Sequence, residues 1–229
     1  MRRYYDVGLV AGSASGAESL VETAASLGFR GVAVEVTGSE IEELGGIARG
    51  VEVYSRVTVH PRSVDELYRM LRSARWRHHV VAVRAPSREV LMAALRDSRV
   101  DLVVAPTEQM IPIDRHVAEV AKNAVELRFS EFLRDPRSFA SWLLRSSRWI
   151  ERGRVKVVVT SGASDGIGMR RPVQLASLLT GTGFKPELAL DSVSRIPESI
   201  VVENARRLSG LSDPRGVWTV EGEEEVPGG

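Results

Sequence analysis

Four ionisable side chains stand on or at the ends of strand-like runs: Asp6 in YYDVGLV, Glu35 in GVAVEV, His60 after VEVYSRVTV and Glu126 in AVELRF. Carboxylates and an imidazole gathered in one pocket would suit metal-assisted hydrolysis, because zinc takes three or four such ligands. A second stretch, VVVTSGASDGIG at 157–168, puts Gly162, Gly166 and Gly168 after a valine-rich strand. Glycines in a strand-to-helix turn let backbone approach a pyrophosphate, the chemistry of a dinucleotide loop. The third pattern is arginine, 28 residues against 3 lysines. A guanidinium forks onto phosphate, so clustered arginines point to a polyanion.

The two enzyme patterns are incomplete. A barrel metallohydrolase ordinarily opens with His-x-His, and this chain has four histidines without that pair. His78 and His79 precede a strand, His116 falls in a helical run, and only His60 ends a strand. Glu35 and Glu126 therefore read as hydrogen-bonded within a barrel mouth, to Arg56 or Arg84. The glycine loop fares no better as a cofactor site. Only 61 residues follow Gly168, and all four tyrosines lie upstream, at 4, 5, 54 and 68, so the Tyr–Lys pair of a short-chain dehydrogenase is missing. Pro172 falls where the cofactor helix would run and would break it; it suits the first turn of a new helix. The loop then reads as an open polar turn, with Ser161, Gly162 and Ser164 beside Arg170 and Arg171, a cradle for an anion. With no cysteine, thiolate metal sites, disulfides and thiol catalysis are excluded.

These residues need a scaffold. Strand-like runs at 4–10, 31–36, 51–59, 79–85, 101–106, 124–129 and 155–160 alternate with helical runs at 16–28, 39–48, 63–76, 87–97, 114–123, 135–153, 171–183, 185–193 and 196–208. Ser39 with Glu42 and Ser63 with Glu66 read as capping boxes. Asp114 and Asp135 read as N-caps, with Pro136 in the first turn. Strands apolar on both faces that alternate with helices imply a parallel sheet. The even repetition favours an α/β, TIM-barrel-like fold of seven or eight strands in one domain, residues 1–208, over an open doubly wound sheet. Residues 209–229, with EGEEEVPGG, read as a mobile acidic tail. No apolar run approaches the ~20 residues of a membrane span, so no membrane partner is expected. Asp6 interrupts the short N-terminal apolar run, which reads as a strand of a cytoplasmic protein.

Formal net charge is +1, yet residues 1–220 hold 31 bases against 26 acids. Three clusters carry the excess. Arg69, Arg72 and Arg75 recur at three-residue steps on one helix, with Trp76, Arg77, His78 and His79 beyond them. Arg145 and Arg148, with Arg152 and Arg154, form a strip beside Trp149. Arg170, Arg171 and Arg195 are placed near the barrel mouth. A tryptophan exposed among them would stack on an unpaired base.

The stretch VVVTSGASDGIGMRRPVQLASLLTGTGFKPELALDSVSRIPESIV resembles the C-terminal signature of the archaeal ribonuclease P protein component 3 family, the thirty-kilodalton subunits. The matching elements are Thr160-Ser161-Gly162-Ala163, Arg171-Pro172, Ala189-Leu190, Val193-Ser194 and Ile196-Pro197-Glu198-Ser199-Ile200. Upstream, YYDVGL, LGFRGVAVEV and IDRHVAEVAKNAVEL continue the likeness, which spans about residues 4–208. Arg115 between Asp114 and His116, and Arg171 where serine commonly precedes the proline, depart from the pattern. The resemblance implies a TIM-barrel-like subunit of the ribonucleoprotein that removes the 5′ leader of precursor tRNA. It implies an RNA that holds the catalytic Mg2+, no cofactor or metal on this chain and no catalytic residue in it. It also implies a small partner protein subunit, further ribonuclease P proteins, and precursor tRNA as substrate of the complex. The alternative is a metal-dependent phosphoesterase on a related barrel.

Overall fold

In the computed structural model, residues 2–36 and 46–210 are described. Valine-rich runs form β1 (Tyr5–Ala11), β2 (Gly31–Val36), β4 (Val51–Val59), β5 (Val80–Arg84), β6 (Leu102–Val104), β7 (Ala124–Arg128) and β8 (Val157–Thr160). They pair in parallel in the order β1-β2-β4-β5-β6-β7-β8. The seven strands curl into a nearly closed α/β barrel, and helices cover the outer faces of the strands.

Local chemistry sets the helix ends. α1 (Ala14–Leu27) starts on the Ser13 hydroxyl and stops at Gly28, whose φ of 85° only glycine adopts readily. α2 (Val64–Arg77) is capped by Ser63, and Glu66 reaches back to the Arg62 N–H at 2.7 Å. α3 (Arg88–Arg96) and α4 (Arg115–Val120) begin on Ser87 and Asp114. α6 (Pro136–Glu151) begins on Asp135 with Pro136 in its first turn, and it buries Phe139, Trp142, Leu143 and Ile150 against the barrel. α7 (Pro172–Thr180) and α8 (Pro186–Asp191) likewise start on prolines, and α9 (Arg195–Leu208) is the last helix among the described residues.

Two elements differ from expectation. The helix expected over 39–48 does not include its last residues: β3 (Gly46–Ala48) pairs antiparallel with β4. The intervening Arg49 and Gly50 both have positive φ, 52° and 78°, the twist of a tight hairpin turn. Residues 39–45, with the Ser39–Glu42 box, lie outside the described residues, as does the segment 211–229. An unexpected α5 (Phe129–Arg134) follows β7 without a loop.

Closure between β1 and β8 is not a strand ladder. The turn between α8 and α9 inserts there instead: Tyr5 N–H donates to Val193 O at 3.0 Å and Val159 N–H to Ser192 O at 3.1 Å. Further along the seam, Val10 N–H donates to Ala163 O at 2.9 Å. From that turn α9 crosses the N-terminal end of the barrel, where Val201 joins Tyr5, Val7, Val80, Leu102 and Val158 in the inner core. Arg75 Nη1 grips both carboxylate oxygens of Asp101 at 2.8 and 2.9 Å, and Nη2 donates to Asn204 Oδ1 on α9 at 2.7 Å. Arg207 donates to the carbonyls of Arg75 and His78, so α9 is locked to the end of α2.

Candidate functional site

Alternate residues of a barrel strand point inward. In β4 these include Arg56 and Thr58, and in β7 Glu126 and Arg128, so two guanidiniums and a carboxylate enter the lumen together. Arg56 and Glu126 are fully buried. Arg56 Nη1 and Nη2 donate to Glu126 at 3.0 and 2.6 Å, and Nη1 also donates to the Val7 carbonyl. Arg128 approaches the same carboxylate, with Nε 3.3 Å from Oε1, and Thr160 Oγ1 donates to it at 2.8 Å. Burial raises the pKa of Glu126, but Arg128 and Arg56 outweigh it and hold the carboxyl at about 2.

Above this pair, Glu35 accepts from Thr58 N–H at 3.1 Å and Thr58 Oγ1 at 2.6 Å, with Arg56 Nε 3.9 Å away. Arg84 is committed to Glu131 of α5 and not to Glu35 or Glu126. His60 is exposed at the rim. Its pKa is lowered by partial burial and by the charge of Arg84. Among the described residues no three His, Asp or Glu come together as a possible metal site. The mouth is an ion-paired plug whose carboxylates have internal partners.

Asp6 does not join this cluster as a ligand; it spans the seam. Its carboxylate accepts Gly8 N–H at 3.2 Å and Ser161 N–H at 3.2 and 3.3 Å. Burial pushes its pKa up, against the pull of those donors. The signs of Asp6 and Glu126 are therefore opposite. Glu126, depressed below its ordinary 4.5, contributes stability above that value that is lost as the pH falls toward 2. Asp6, raised above 3.8, contributes stability that is complete below that value and is lost as the pH rises through its folded pKa. Asp6→Ala orphans two buried N–H groups and is expected to cost about 3 kcal/mol. Asp6→Asn is expected to cost about 1 kcal/mol, since it keeps one acceptor. Urea melts should show a smaller cost of Asp6→Asn at pH 7 than at pH 4; the reverse order would mean that the ionised carboxylate is the favoured form.

The arginine clusters sort differently from the sequence expectation. Arg69 is 76% exposed with Glu66 3.8 Å away, and Arg72 is exposed. Arg75 is turned inward onto Asp101, leaving 12% of its side chain exposed. Steps of three residues fall short of a 3.6-residue turn, so the third arginine of the series leaves the face of the first. His79 also turns in, its Nδ1 2.8 Å from Ser55 Oγ. Arg145 and Arg148 are exposed on α6, and Trp149 is half-buried on a surface groove of ≈ 580 Å³ with Arg115 and Arg154.

The glycine loop departs from its expected role in parts. Ser161 is buried at the seam, with its hydroxyl accepting from Ala163 N–H. Gly162 is at φ 62°, where an added Cβ would meet Ser130 Oγ at 2.3 Å. Ser164 and Arg171 are exposed. Arg170 braces the loop, donating to Ile167 O and Met169 O at 2.7 Å and lying over Phe129 at 5.2 Å. Arg195 is corrected outright: as the first residue of α9 it sits at the N-terminal end of the barrel, away from Arg170 and Arg171. Arg128, Thr58 and Glu131 escaped the sequence reading. Arg128 was within reach of it, since its spacing from Glu126 is that of one strand face.

The chain is 24% identical over 235 residues to ribonuclease P protein component 3 of Methanosarcina acetivorans, covering 97% of this chain and 98% of the relative. Its fold matches a chain in a cryo-EM structure of archaeal ribonuclease P with mature tRNA, with a TM-score of 0.79, 20% identity, and coverage of 96% and 99%. The family described as RNase P subunit p30 matches residues 3–209, nearly the whole length, and the chain therefore belongs to that family.

Proposed function

We propose that the chain is a non-catalytic protein subunit of ribonuclease P, the ribonucleoprotein that removes the 5′ leader of precursor tRNA. It supports the catalytic RNA together with a small partner protein and the other ribonuclease P proteins. The RNA holds the Mg2+, and the complex works in the cytoplasm. One observation carries the reading beyond family membership. The mouth, where barrels of this type keep their chemistry, is filled by its own ion pair, Arg56–Glu126, buried at 2.6 Å, whereas exposed arginines cover the outside of α2 and α6. Such a surface binds phosphates through guanidiniums.

The test is a reconstitution. Catalytic RNA with its other proteins is assayed on precursor tRNA at low Mg2+, with and without this chain. Addition is expected to raise cleavage, and the lone chain is expected to hydrolyse neither precursor tRNA nor a phosphomonoester with Mn2+ or Zn2+. Hydrolysis by the lone chain would restore the phosphoesterase alternative; cleavage indifferent to the chain would remove the subunit reading.

A further inference from the structure

Trp76 is the feature that neither the core nor the barrel mouth absorbs. On the last turn of α2, it is 61% exposed. A ring left this exposed gives up most of the stabilisation that burial in a core would bring, so the fold gains little from it. Its neighbours on α2 are cationic. Between Leu67 and Arg77 the helix has four arginines and no acid; Asp65 and Glu66 are confined to the first turn. Arg75 is consumed by Asp101 and Asn204. Arg72 and Arg77 are exposed without an ion pair among the described residues, and Arg69 has only Glu66, 3.8 Å away.

Arg72 precedes Trp76 by four residues, and Arg69 precedes it by seven. All three therefore share one stripe of the helix, spaced by about one turn of 5.4 Å. The arrangement is an indole with guanidiniums along one line. A protein partner would want a wider apolar patch, and Tyr68, 37% exposed with Arg99 5.6 Å over its ring, is the other large exposed apolar side chain of this helix. A nucleic-acid duplex keeps its bases stacked inside and offers the indole nothing. A single strand offers both a base face and adjoining phosphates.

We infer that the outer stripe of α2 is a single-stranded RNA site, in which Trp76 stacks on an unpaired base while Arg72 and Arg69 hold the phosphates beside it. The inference rests on the RNA-associated reading above and names the part of the RNA that this face takes.

The experiment uses the full chain and a fluorescein-labelled twelve-residue oligouridylate, read by anisotropy, with an RNA duplex of equal length as the comparison. Trp76→Ala is expected to weaken binding of the single strand roughly ten- to a hundredfold, the range of one lost base–aromatic stack. Trp76→Phe should keep binding within a few fold. Arg72→Ala should lower the slope of log affinity against log salt by about 0.7, one phosphate on a single strand. Because Trp76 is exposed, its variants should keep the wild-type urea midpoint. Unchanged affinity of Trp76→Ala, an equal loss for duplex and single strand, or no binding of the oligonucleotide would each overturn the proposal. The two readings fail separately. A chain that stimulates the reconstituted enzyme, yet binds oligouridylate without regard to Trp76, keeps its subunit role and loses this site; an acidic protein partner for the stripe would then be sought.

Discussion

Glu126→Leu is expected to remove about 5 kcal/mol of stability, and Arg56→Met about 3 kcal/mol, although both delete one end of the same ion pair. The asymmetry follows from the partners left behind. Without Glu126, the guanidiniums of Arg56 and Arg128 both remain in the lumen, Arg56 with no accessible surface. Glu35, 3.9 Å from Arg56 Nε, is too far to replace two hydrogen bonds. Without Arg56, Glu126 keeps Arg128 and the Thr160 hydroxyl. Domains of this size are stable by only about 5–15 kcal/mol, so the leucine variant should sit at the edge of folding. Urea midpoints measure both, with the slope m checked for constancy. Equal costs would mean that Arg128 does not share the carboxylate.

Gly8→Ala is the second large effect, at about 4 kcal/mol. β1 passes so close to β8 that an added Cβ would stand 2.4 Å from Thr160 Oγ1, 2.5 Å from Thr160 Cβ and 2.7 Å from Glu126 Oε1. Overpacking costs about 1–3 kcal/mol, and loss of the Thr160–Glu126 bond adds about 1.5–3 kcal/mol as a hydrogen bond to a charged group. Thr160→Gly on top of Gly8→Ala removes the clash with Thr160, though neither the contact with Glu126 Oε1 nor the lost Thr160–Glu126 bond, and should recover less than half of the loss in thermal melts. No recovery would place the clash elsewhere than at the seam.

The scaffold was legible because its signals are local. Buried parallel strands read as valine runs, and Ser63, Asp114, Asp135, Pro136 and Pro172 start helices where such residues are expected. Signals that need the third dimension were lost. Arg56 and Glu126 are 70 residues apart, and nothing in either strand tells which of several arginines takes the carboxylate; Arg84 was an equal candidate and pairs with Glu131. Arg195 looked close to Arg170 in sequence, but the passage of α9 under the barrel carries it to the opposite end. The β3–β4 hairpin was hidden because Ile47 and Ala48 continue the apolar spacing of the helical run expected from Ser39. The turn itself rests on Arg49, a residue with no preference for positive φ.

The way the barrel is sealed has a bearing on its synthesis. One edge of β1 receives its backbone partner from Val193, nearly the whole domain later in translation. At about 5–20 residues per second, the nascent chain carries that edge uncovered for roughly 10–40 s after Tyr5 leaves the ribosome. An uncovered edge recruits other strands, so ribosome-bound chains stopped short of α8 should be the aggregation-prone species. Release of a soluble product should begin only once the turn before α9 has emerged.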